Sequence, residues 1–278
     1  MASRRSFIQQ SVLGIGGAAV LPLLGNKAMA AGKDKESNLQ LGMAGFTFVK
    51  FDIATSIAMM KRVNVTSLSL KDFHLPLNST PEKMASVLAQ FKDAGINIYA
   101  VGVIYMKTKE AVDEAFDYAK KVGVSLIVGV PNPELLDYTE EKVKSSGIRI
   151  AIHNHGPEDK LYPSPKNVYD LIKNRDEKMG LCIDIGHSTR AGQDPARAVV
   201  EYKQRVFDLH IKDVSEAVKD GKAMEVGRGV IDFPAFVKAL NKIKYQGRCS
   251  FEFEKDMTDS LPGLAESVGY FKGVVRTV

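Results

Sequence analysis

Four short apolar segments in the second half of the chain each end in side chains that can bind a metal ion. They cover residues 148–155, 181–187, 206–213 and 249–254, and they read IRIAIHNH, LCIDIGH, VFDLHIKD and CSFEFE. Each has the composition of a buried parallel strand. In barrels of alternating strands and helices, chemistry gathers where the strands end. The sequence therefore predicts one shared site at the ends of four strands.

The predicted metal ligands are His153, Asp184, His210 and Glu252, one from each segment. Two imidazoles and two carboxylates suit Mn²⁺, Zn²⁺, Co²⁺ or Fe²⁺ better than an all-oxygen magnesium site, and they leave coordination positions open for substrate oxygens. Such an ion would polarise a carbonyl while a proton leaves the adjacent carbon. Glu254 shares a strand face with Glu252 because residues two apart point the same way. The sequence leaves open which glutamate is the ligand, and we favour Glu252.

A second group of side chains is expected to transfer protons or to contact a substrate. Glu252 and Glu158 are candidates for proton transfer, and Lys212 is a candidate for neutralising a developing oxyanion. The remaining candidates, all for substrate contact, are His187, His155, Lys71, His74, Arg228 and Glu254. Any one of them alone is more often a solvated loop residue, so the prediction depends on their gathering at one mouth.

Strand-like and helix-like segments alternate along the chain, which is typical of a parallel sheet. Its 278 residues, 45% of them hydrophobic, suit one large domain. The predicted strands are 39–45, 65–70, 97–103, 125–130, 148–153, 180–185, 206–212 and 248–254. Eight such units predict a single-domain α/β fold, the (β/α)₈ TIM barrel. The alternative is an open doubly wound sheet, but no glycine-rich nucleotide motif follows the first strand.

Helical patterns between these strands carry the usual start and stop signals. They include residues 81–94, 109–122 and 195–203. Thr80 and Asp194 precede first-turn prolines as N-caps, and Asp232 is expected to cap a helix after the glycine-bracketed loop. Glycines stand at the expected stop positions 95, 123 and 147.

The first thirty residues have the pattern of a twin-arginine signal peptide. SRRSFI at residues 3–8 precedes an apolar stretch over 11–24 and a small-x-small site, AMA, at 28–30. We predict cleavage after Ala30, a periplasmic or exported protein, and a barrel domain over residues 31–278. The apolar stretch is short and glycine-rich, so no stable membrane span is expected after cleavage. A retained N-terminal anchor is the alternative.

The charge balance gives no support for nucleic-acid binding. The formal net charge is +5, and removal of residues 1–30, which carry Arg4, Arg5, Lys27 and no acidic residue, lowers it to +2. No run of lysines or arginines stands out on the remaining chain, so we expect no nucleic-acid partner. The sequence leaves homo-oligomerisation open.

The two cysteines are predicted to remain unpaired. Cys182 shares its strand face with Asp184, whereas Cys249 lies on the face opposite to Glu252. One thiol should therefore point into the barrel and the other outward.

At these residues the sequence resembles the sugar phosphate isomerase/epimerase superfamily, the xylose isomerase-like TIM barrels that also include endonuclease IV. The motifs that carry the resemblance are IDIGH at 183–187, LHIKD at 209–213, GRGVID at 227–232 and GRCSFE at 247–252, and it covers residues 39–275. It implies a metal-dependent barrel that acts on a carbohydrate. By the resemblance, Asp184, His210 and Glu252 fall on metal-ligand positions and His187 on a substrate-contacting one.

The sequence departs from the resemblance at the fifth strand. Epimerases of this superfamily usually place there a glutamate that binds metal and works with the last-strand glutamate as an acid/base pair. Here the position is occupied by His153, and metal coordination takes up the lone pair of an imidazole. Glu158 or His155 is then expected to take over proton transfer. A histidine there resembles superfamily members that dehydrate or cleave keto-sugars and keto-inositols.

Three functions remain open from the sequence. The favoured one is a divalent-metal-dependent sugar isomerase or epimerase that abstracts a proton next to a metal-bound carbonyl. The first alternative is a lyase or dehydratase acting on a keto-sugar, such as a 3-keto-glycoside, through the same proton abstraction. The second is a non-catalytic carbohydrate-binding barrel. Phosphodiester cleavage in the manner of endonuclease IV is disfavoured, because its trinuclear site needs more histidines than the five present.

Overall fold

Eight parallel strands close into a barrel in the computed structural model, which describes residues 39–278. The strands are β1 (Gln40–Ala44), β2 (Ser67–Leu70), β3 (Asn97–Met106), β4 (Leu126–Pro131), β5 (Arg149–His153), β6 (Met179–Asp184), β7 (Val206–Ile211) and β8 (Arg248–Phe251). Each pairs with its neighbours in sequence, and β1 pairs with β8 to complete the circle. The predicted (β/α)₈ barrel is confirmed. The predicted signal peptide, residues 1–30, lies outside the described residues.

Helices surround the barrel and bury its outer face. They are α1 (Ile53–Arg62), α2 (Pro81–Asp93), α3 (Lys109–Val122), α4 (Leu136–Ser146), α5 (Pro165–Ile172), α6 (Ile185–Arg190), α7 (Pro195–Glu201), α8 (Phe233–Lys242) and α9 (Leu261–Thr277). The side chains of Thr80, Asp194 and Asp232 accept the expected capping hydrogen bonds from the following backbone. Gly123 and Gly147 end their helices in the left-handed conformation, which favours glycine. None of the helices in residues 39–278 is long and apolar enough to cross a membrane.

Two strands end three residues away from the predicted position, whereas the others end within one residue of it. β3 continues three residues past Val103, because Tyr105 and Met106 pair with the end of β4. β8 ends at Phe251 rather than Glu254, since its register with β1 and β7 stops there. Glu252 therefore stands just outside the strand, although its N–H still donates to the Ile211 carbonyl at 3.2 Å.

The structure adds short elements that the sequence patterns did not indicate. Single 3₁₀ turns follow β1 and β4, at Gly45–Phe48 and Pro133–Leu135. A two-stranded antiparallel ribbon joins Asp213–Val214 to Ala223–Met224 after β7. These elements lie in connections between strands and helices, and the barrel itself follows the predicted order.

Candidate metal and active site

Four side chains at the carboxyl ends of β5 to β8 converge on one point inside the barrel mouth. They come from the last residue of β5, the last residue of β6, the interior of β7 and the residue after β8, and they are His153, Asp184, His210 and Glu252. Their ligand atoms all lie within 4.8 Å of one another, and all four residues are buried. The structure thus brings together the residues that the sequence predicted as metal ligands.

The distances within this cluster fit a bound divalent cation. His153 Nε2 lies 3.0 Å from His210 Nδ1 and 3.7 Å from Asp184 Oδ2, and His210 Nδ1 lies 3.1 Å from Glu252 Oε2. Two ring nitrogens this close either share a proton or direct both lone pairs at a common cation. Asp184 Oδ2 is buried and accepts no hydrogen bond, and the Lys212 ammonium lies 3.1 Å from it, so a cation already faces this carboxylate oxygen. The set of two imidazoles and two carboxylates matches the ligands of divalent transition metals.

Local contacts orient Asp184 toward the cluster. Its Oδ1 accepts a hydrogen bond from the His187 N–H at 2.8 Å and caps α6, so Oδ2 is left facing the barrel interior. The Asp184 N–H donates to Asn154 Oδ1 at 3.1 Å, and Asn154 Nδ2 donates to the Asp184 carbonyl at 3.3 Å. These two bonds join the ends of β5 and β6, and they fix Asp184 relative to His153. Asn154 was not singled out from the sequence, because an asparagine beside a histidine carries no pattern of its own.

Neighbouring basic side chains keep both carboxylates ionised. Although burial favours the neutral acid, His187 and Lys212 hold the pKa of Asp184 well below its usual range. Burial also opposes ionisation of Glu252, but His210 and Lys212 hold its pKa well below the ordinary value. Ionised carboxylates are the forms that bind metal ions.

The two imidazoles differ in their protonation. Burial lowers the pKa of His153 to about 3, so this ring is neutral and has a lone pair available. Burial also acts against protonation of His210, but the Glu252 carboxylate raises its pKa well above the ordinary value. In this pair His210 therefore holds the proton, which a metal ion would have to displace. The Cys182 thiol lies in the same region, but burial raises its pKa to about 12, so it is a neutral thiol.

Lys212 places a fixed positive charge beside the ligand cluster. Its Nζ lies 3.1 Å from Asp184 Oδ2, 3.0 Å from Glu252 Oε2 and 2.8 Å from Glu254 Oε2. Burial acts against its charge, but these three carboxylates raise the pKa of Lys212 well above its ordinary value. The lysine stem passes over Gly186, where an added Cβ would lie 2.9 Å from Lys212 Cγ. A glycine at the start of α6 thus makes room for the ammonium group to enter the cluster.

The two glutamates after β8 have different surroundings. Glu252 Oε2 lies among the ligand atoms, whereas Glu254 contacts Lys212 and its side chain is 26% exposed. Burial raises the pKa of Glu254 above its ordinary value, and Lys212 only partly offsets this. Of the two, Glu252 has the geometry of a ligand. Glu254 has the geometry and the raised pKa of a proton-transfer group.

Arg190 joins two of the predicted site residues at the rim of the mouth. Its Nη2 donates to both carboxylate oxygens of Glu158, at 2.8 and 2.9 Å, and its Nη1 lies 3.2 Å from His187 Nδ1. Because arginine only donates hydrogen bonds, His187 Nδ1 is the acceptor and Nε2 carries the proton. The proton of His187 Nε2 is therefore available to a substrate oxygen. Burial opposes ionisation of Glu158, but backbone N–H groups and Arg190 lower its pKa, which makes it a weak base.

Tyr105 is a mouth residue that sequence reasoning missed. Its hydroxyl lies 2.8 Å from His155 Nε2, and the two rings stack with centroids 5.6 Å apart. The side chain is 51% exposed, so one face of an aromatic ring is open to solvent beside the cluster. The predicted strand ended at Val103, and the extension of β3 is what carries Tyr105 to the mouth. The signal that could have found Tyr105 is the apolar run after Val103, which continues the strand to Met106.

Three predicted substrate contacts have partners away from the cluster. Arg228 forms an ion pair with Glu266, and Lys71 forms one with Asp72 at 2.7 Å. His74 is buried, and its Nε2 lies 2.9 Å from the Phe51 carbonyl. Within residues 39–278, none of the three forms a hydrogen bond or ion pair with the metal-ligand cluster.

Comparison with known proteins points to one family. The profile described as "Xylose isomerase-like TIM barrel" matches residues 44–274. The Rhizopine catabolism protein MocC of Rhizobium meliloti is 28% identical over 145 residues, which cover 47% of this chain and 44% of that protein. Inosose dehydratase of Lacticaseibacillus casei is 25% identical over 143 residues, which cover 46% of this chain and 47% of the relative. The matched region thus spans about half the length of these relatives.

A solved structure shows the same fold over nearly the whole barrel. The IOLI protein, whose crystal structure contains a bound zinc atom, aligns with a TM-score of 0.70 at 15% identity. The alignment covers 86% of this chain and 98% of that protein. At this identity the likeness shows a shared fold.

Proposed function

Because the chain belongs to the xylose isomerase-like TIM barrel family, we propose that it is a divalent-metal-dependent dehydratase, a lyase acting on a keto-polyol or keto-sugar. The family contains sugar-modifying enzymes, both isomerases and dehydratases. The observation that carries the choice is that one carboxylate outside the ligand cluster lies within ion-pair distance of Lys212. In residues 39–278, Glu254 meets this description, while Glu158 is bound by Arg190.

One carboxylate suffices for elimination of water. Glu254 takes the proton from the carbon next to the carbonyl, a carbon–carbon double bond forms, and the bond to the β-hydroxyl breaks. The same carboxyl then returns its proton to the departing hydroxyl, so that water and an unsaturated ketone are released. Epimerisation instead needs a second proton-transfer group on the opposite face of the carbon. With His153 where a glutamate would supply that group, the site is better suited to elimination.

The remaining side chains have positioning and electrostatic roles. A divalent ion held by His153, Asp184, His210 and Glu252 would polarise the substrate carbonyl. The Lys212 ammonium lies next to Glu254 and stabilises the negative charge that develops on the substrate oxygen. His187 donates its Nε2 proton to a substrate hydroxyl. The open face of Tyr105 offers a surface on which a sugar or cyclitol ring can stack.

A sugar isomerase is the second candidate, and the same site supports it. A proton shift between neighbouring carbons also needs one carboxylate, which Glu254 provides. The sequence comparison with inosose dehydratase favours the lyase, because that relative's name describes loss of water.

The test is incubation of the metal-loaded protein in D₂O with an inosose, a 3-keto-glycoside and a ketohexose. A dehydratase gives an unsaturated product, seen by ultraviolet absorbance and by NMR. An isomerase instead places deuterium on carbon and retains every hydroxyl. Isomerised sugar without unsaturated product would reject the lyase, and no reaction with any substrate or metal would favour a carbohydrate-binding barrel. Glu254→Gln is the matched inactive control.

A further inference from the structure

A cavity opens at the end of the barrel opposite to the metal cluster, where the strands begin. We call it the basal cavity. Its volume is about 410 Å³, and its polar lining includes Tyr99, Arg149, Lys203, Lys244, Gln246 and Arg248. No aspartate or glutamate lines it. The basal cavity is therefore a cationic site.

Strand alternation directs two of the cations into the barrel. Arg149 is the first residue of β5 and lies four residues before His153, and Arg248 opens β8 four residues before Glu252. Residues an even number apart share a strand face, so both arginines point inward like the metal ligands. Four residues span about 13 Å of strand. The arginines and the metal ligands thus lie at opposite ends of the same strands.

The four cations of the basal cavity have no anionic partner in the described part of the chain. Within residues 39–278, none of these four side chains donates a hydrogen bond or forms an ion pair; they are Arg149, Lys203, Lys244 and Arg248. The Nε atom of Arg248 is also buried without a partner. Other arginines do find carboxylates, since Arg175 binds Asp137. Arg149, Lys203 and Lys244 are exposed to solvent and can meet an incoming anion, whereas the buried Arg248 Nε has a hydrogen-bonding capacity that an anion in the cavity would satisfy.

Aromatic rings hold the two guanidinium groups in place. The Arg248 guanidinium carbon lies 5.0 Å from the Tyr99 ring centroid, and that of Arg149 lies 5.1 Å from the centroid of Phe207. Stacking occupies the face of a guanidinium and leaves its N–H edge free. That edge matches the paired oxygens of a phosphate.

A hydrogen-bonded layer separates the basal cavity from the metal cluster. The Tyr99 hydroxyl donates to Asp208 Oδ2 at 2.7 Å and contacts Ser250 Oγ. Asp208 also accepts a hydrogen bond from the Leu209 N–H at 3.0 Å. The nearest buried carboxylate is thus engaged by hydrogen-bond donors of its own, and it forms no ion pair with the arginines.

We propose that the basal cavity binds the phosphate group of a small phosphorylated metabolite. Two arginine edges and two lysines supply the donors that a dianionic phosphate needs. The volume lies within the range of small-molecule sites and exceeds that of a lone phosphate ion, which leaves space for an attached organic group. This site is independent of the proposed dehydratase activity, because it shares no side chain with the metal cluster.

The test is calorimetric titration of the full protein with inorganic phosphate, with a hexose 6-phosphate and with the unphosphorylated hexose. Both phosphate compounds should bind saturably and the hexose should not. Tighter binding of the hexose 6-phosphate identifies a phosphorylated metabolite as the ligand, while equal binding identifies free phosphate. Phosphate binding should persist in the Asp184→Asn variant. Because this variant loses the metal ion, it excludes phosphate bound at the metal cluster as the source of the signal.

Variants assign the binding to the basal cavity. Two variants are tested separately: the single variant Arg248→Gln and the double variant Lys203→Gln with Lys244→Gln. Each should weaken phosphate binding by about tenfold or more, because each removes charge-assisted hydrogen bonds to the phosphate. The lysine pair is exposed, so its loss leaves the fold intact even if Arg248→Gln unfolds the protein. The exposed pair Lys120→Gln and Lys121→Gln on α3 is the control and should bind as wild type. No saturable binding, or equal weakening in the control, overturns the proposal.

Discussion

The ammonium nitrogen of Lys212 lies 3.1 Å from Asp184 Oδ2, the oxygen that also faces His153 Nε2 at 3.7 Å. A side-chain cation and the predicted metal ion therefore draw on the same carboxylate oxygen. Lys212 also lies 3.0 Å from Glu252 Oε2, a second predicted ligand atom. The metal-ligand cluster is thus partly neutralised by the chain's own charge, which has consequences for both metal affinity and stability.

Replacing Lys212 with methionine should separate these two consequences. Metal should bind more tightly, because no ammonium group competes for the carboxylates, while turnover falls by about 100-fold or more. Without added metal the variant should lose about 3–5 kcal/mol of stability, since a buried charged network is left uncompensated. Melting temperatures with and without Mn²⁺, together with metal titration, measure both effects. Lys255→Met, which removes a lysine paired with Glu225 outside the cluster, is the control.

Asp184→Asn should remove bound metal and activity together. The amide oxygen can still cap α6 as the carboxylate does, so the fold should be retained while the charged ligand is lost. Metal affinity should fall by about 100-fold. Changes to residues that merely support the ligands already lower metal affinity by about 10- to 100-fold, and Asp184→Asn removes a charged ligand itself. Elemental analysis of the purified variant measures this, with Asp113→Asn as control, because Asp113 lies on α3 and pairs with Lys142 away from the cluster. Unchanged metal content in Asp184→Asn would show that the ion binds elsewhere.

A pair of glutamate variants distinguishes the proton-transfer group. Glu254→Gln should keep its metal and lower turnover by about 100-fold or more. Glu158→Gln should also keep its metal but lower turnover by less than about tenfold, because Arg190 holds Glu158 as an ion pair and its role is to position the loops. Steady-state kinetics on the same metal-loaded preparations measure both. The reverse order of effects would make Glu158 the proton-transfer group, as one of the sequence hypotheses held.

His74 should act on stability and not on metal binding. Burial lowers the pKa of His74, although the Phe51 carbonyl partly opposes this shift. The unfolded chain then binds a proton more readily, so the stability contributed by neutral His74 is present above about pH 6.5 and is lost as the pH falls through the folded pKa. His74→Gln should cost about 1–2 kcal/mol at neutral pH through the altered hydrogen bond. Denaturant unfolding at several pH values should show a weaker acid dependence in the variant, and an unchanged slope would contradict the assignment.

The predicted signal peptide has its own test. We propose that Arg4 and Arg5 direct export, so changing both to lysine should leave uncleaved precursor in the cytoplasm of a bacterium with twin-arginine export. Wild-type protein should be recovered from the periplasm with Ala31 as its first residue. N-terminal sequencing and cell fractionation measure this. If wild-type protein and the double variant were found in the same compartment, the proposal would be rejected. Lys27→Gln is the matched control.

The sequence by itself determined the barrel and the composition of the ligand cluster. Strand parity is a local property with a period of two residues, and it assigned His153, Asp184, His210 and Glu252 to one inward face. The N-caps at Thr80, Asp194 and Asp232 were equally local, because a cap depends on the residues of its own first turn. The same parity placed Cys182 and Cys249 on opposite faces, and both thiols are free in the structure.

Tertiary structure alone decided which mouth residues meet the cluster. Lys212 enters between three carboxylates because Gly186, distant in sequence, leaves room for its stem. Arg190 reaches Glu158 across 32 residues, and β3 carries Tyr105 to the mouth only because its pairing with β4 continues. Contacts of this kind depend on loop paths and strand registers that no local period encodes. For the same reason His74 and Arg228, which the sequence placed at the mouth, have their partners elsewhere.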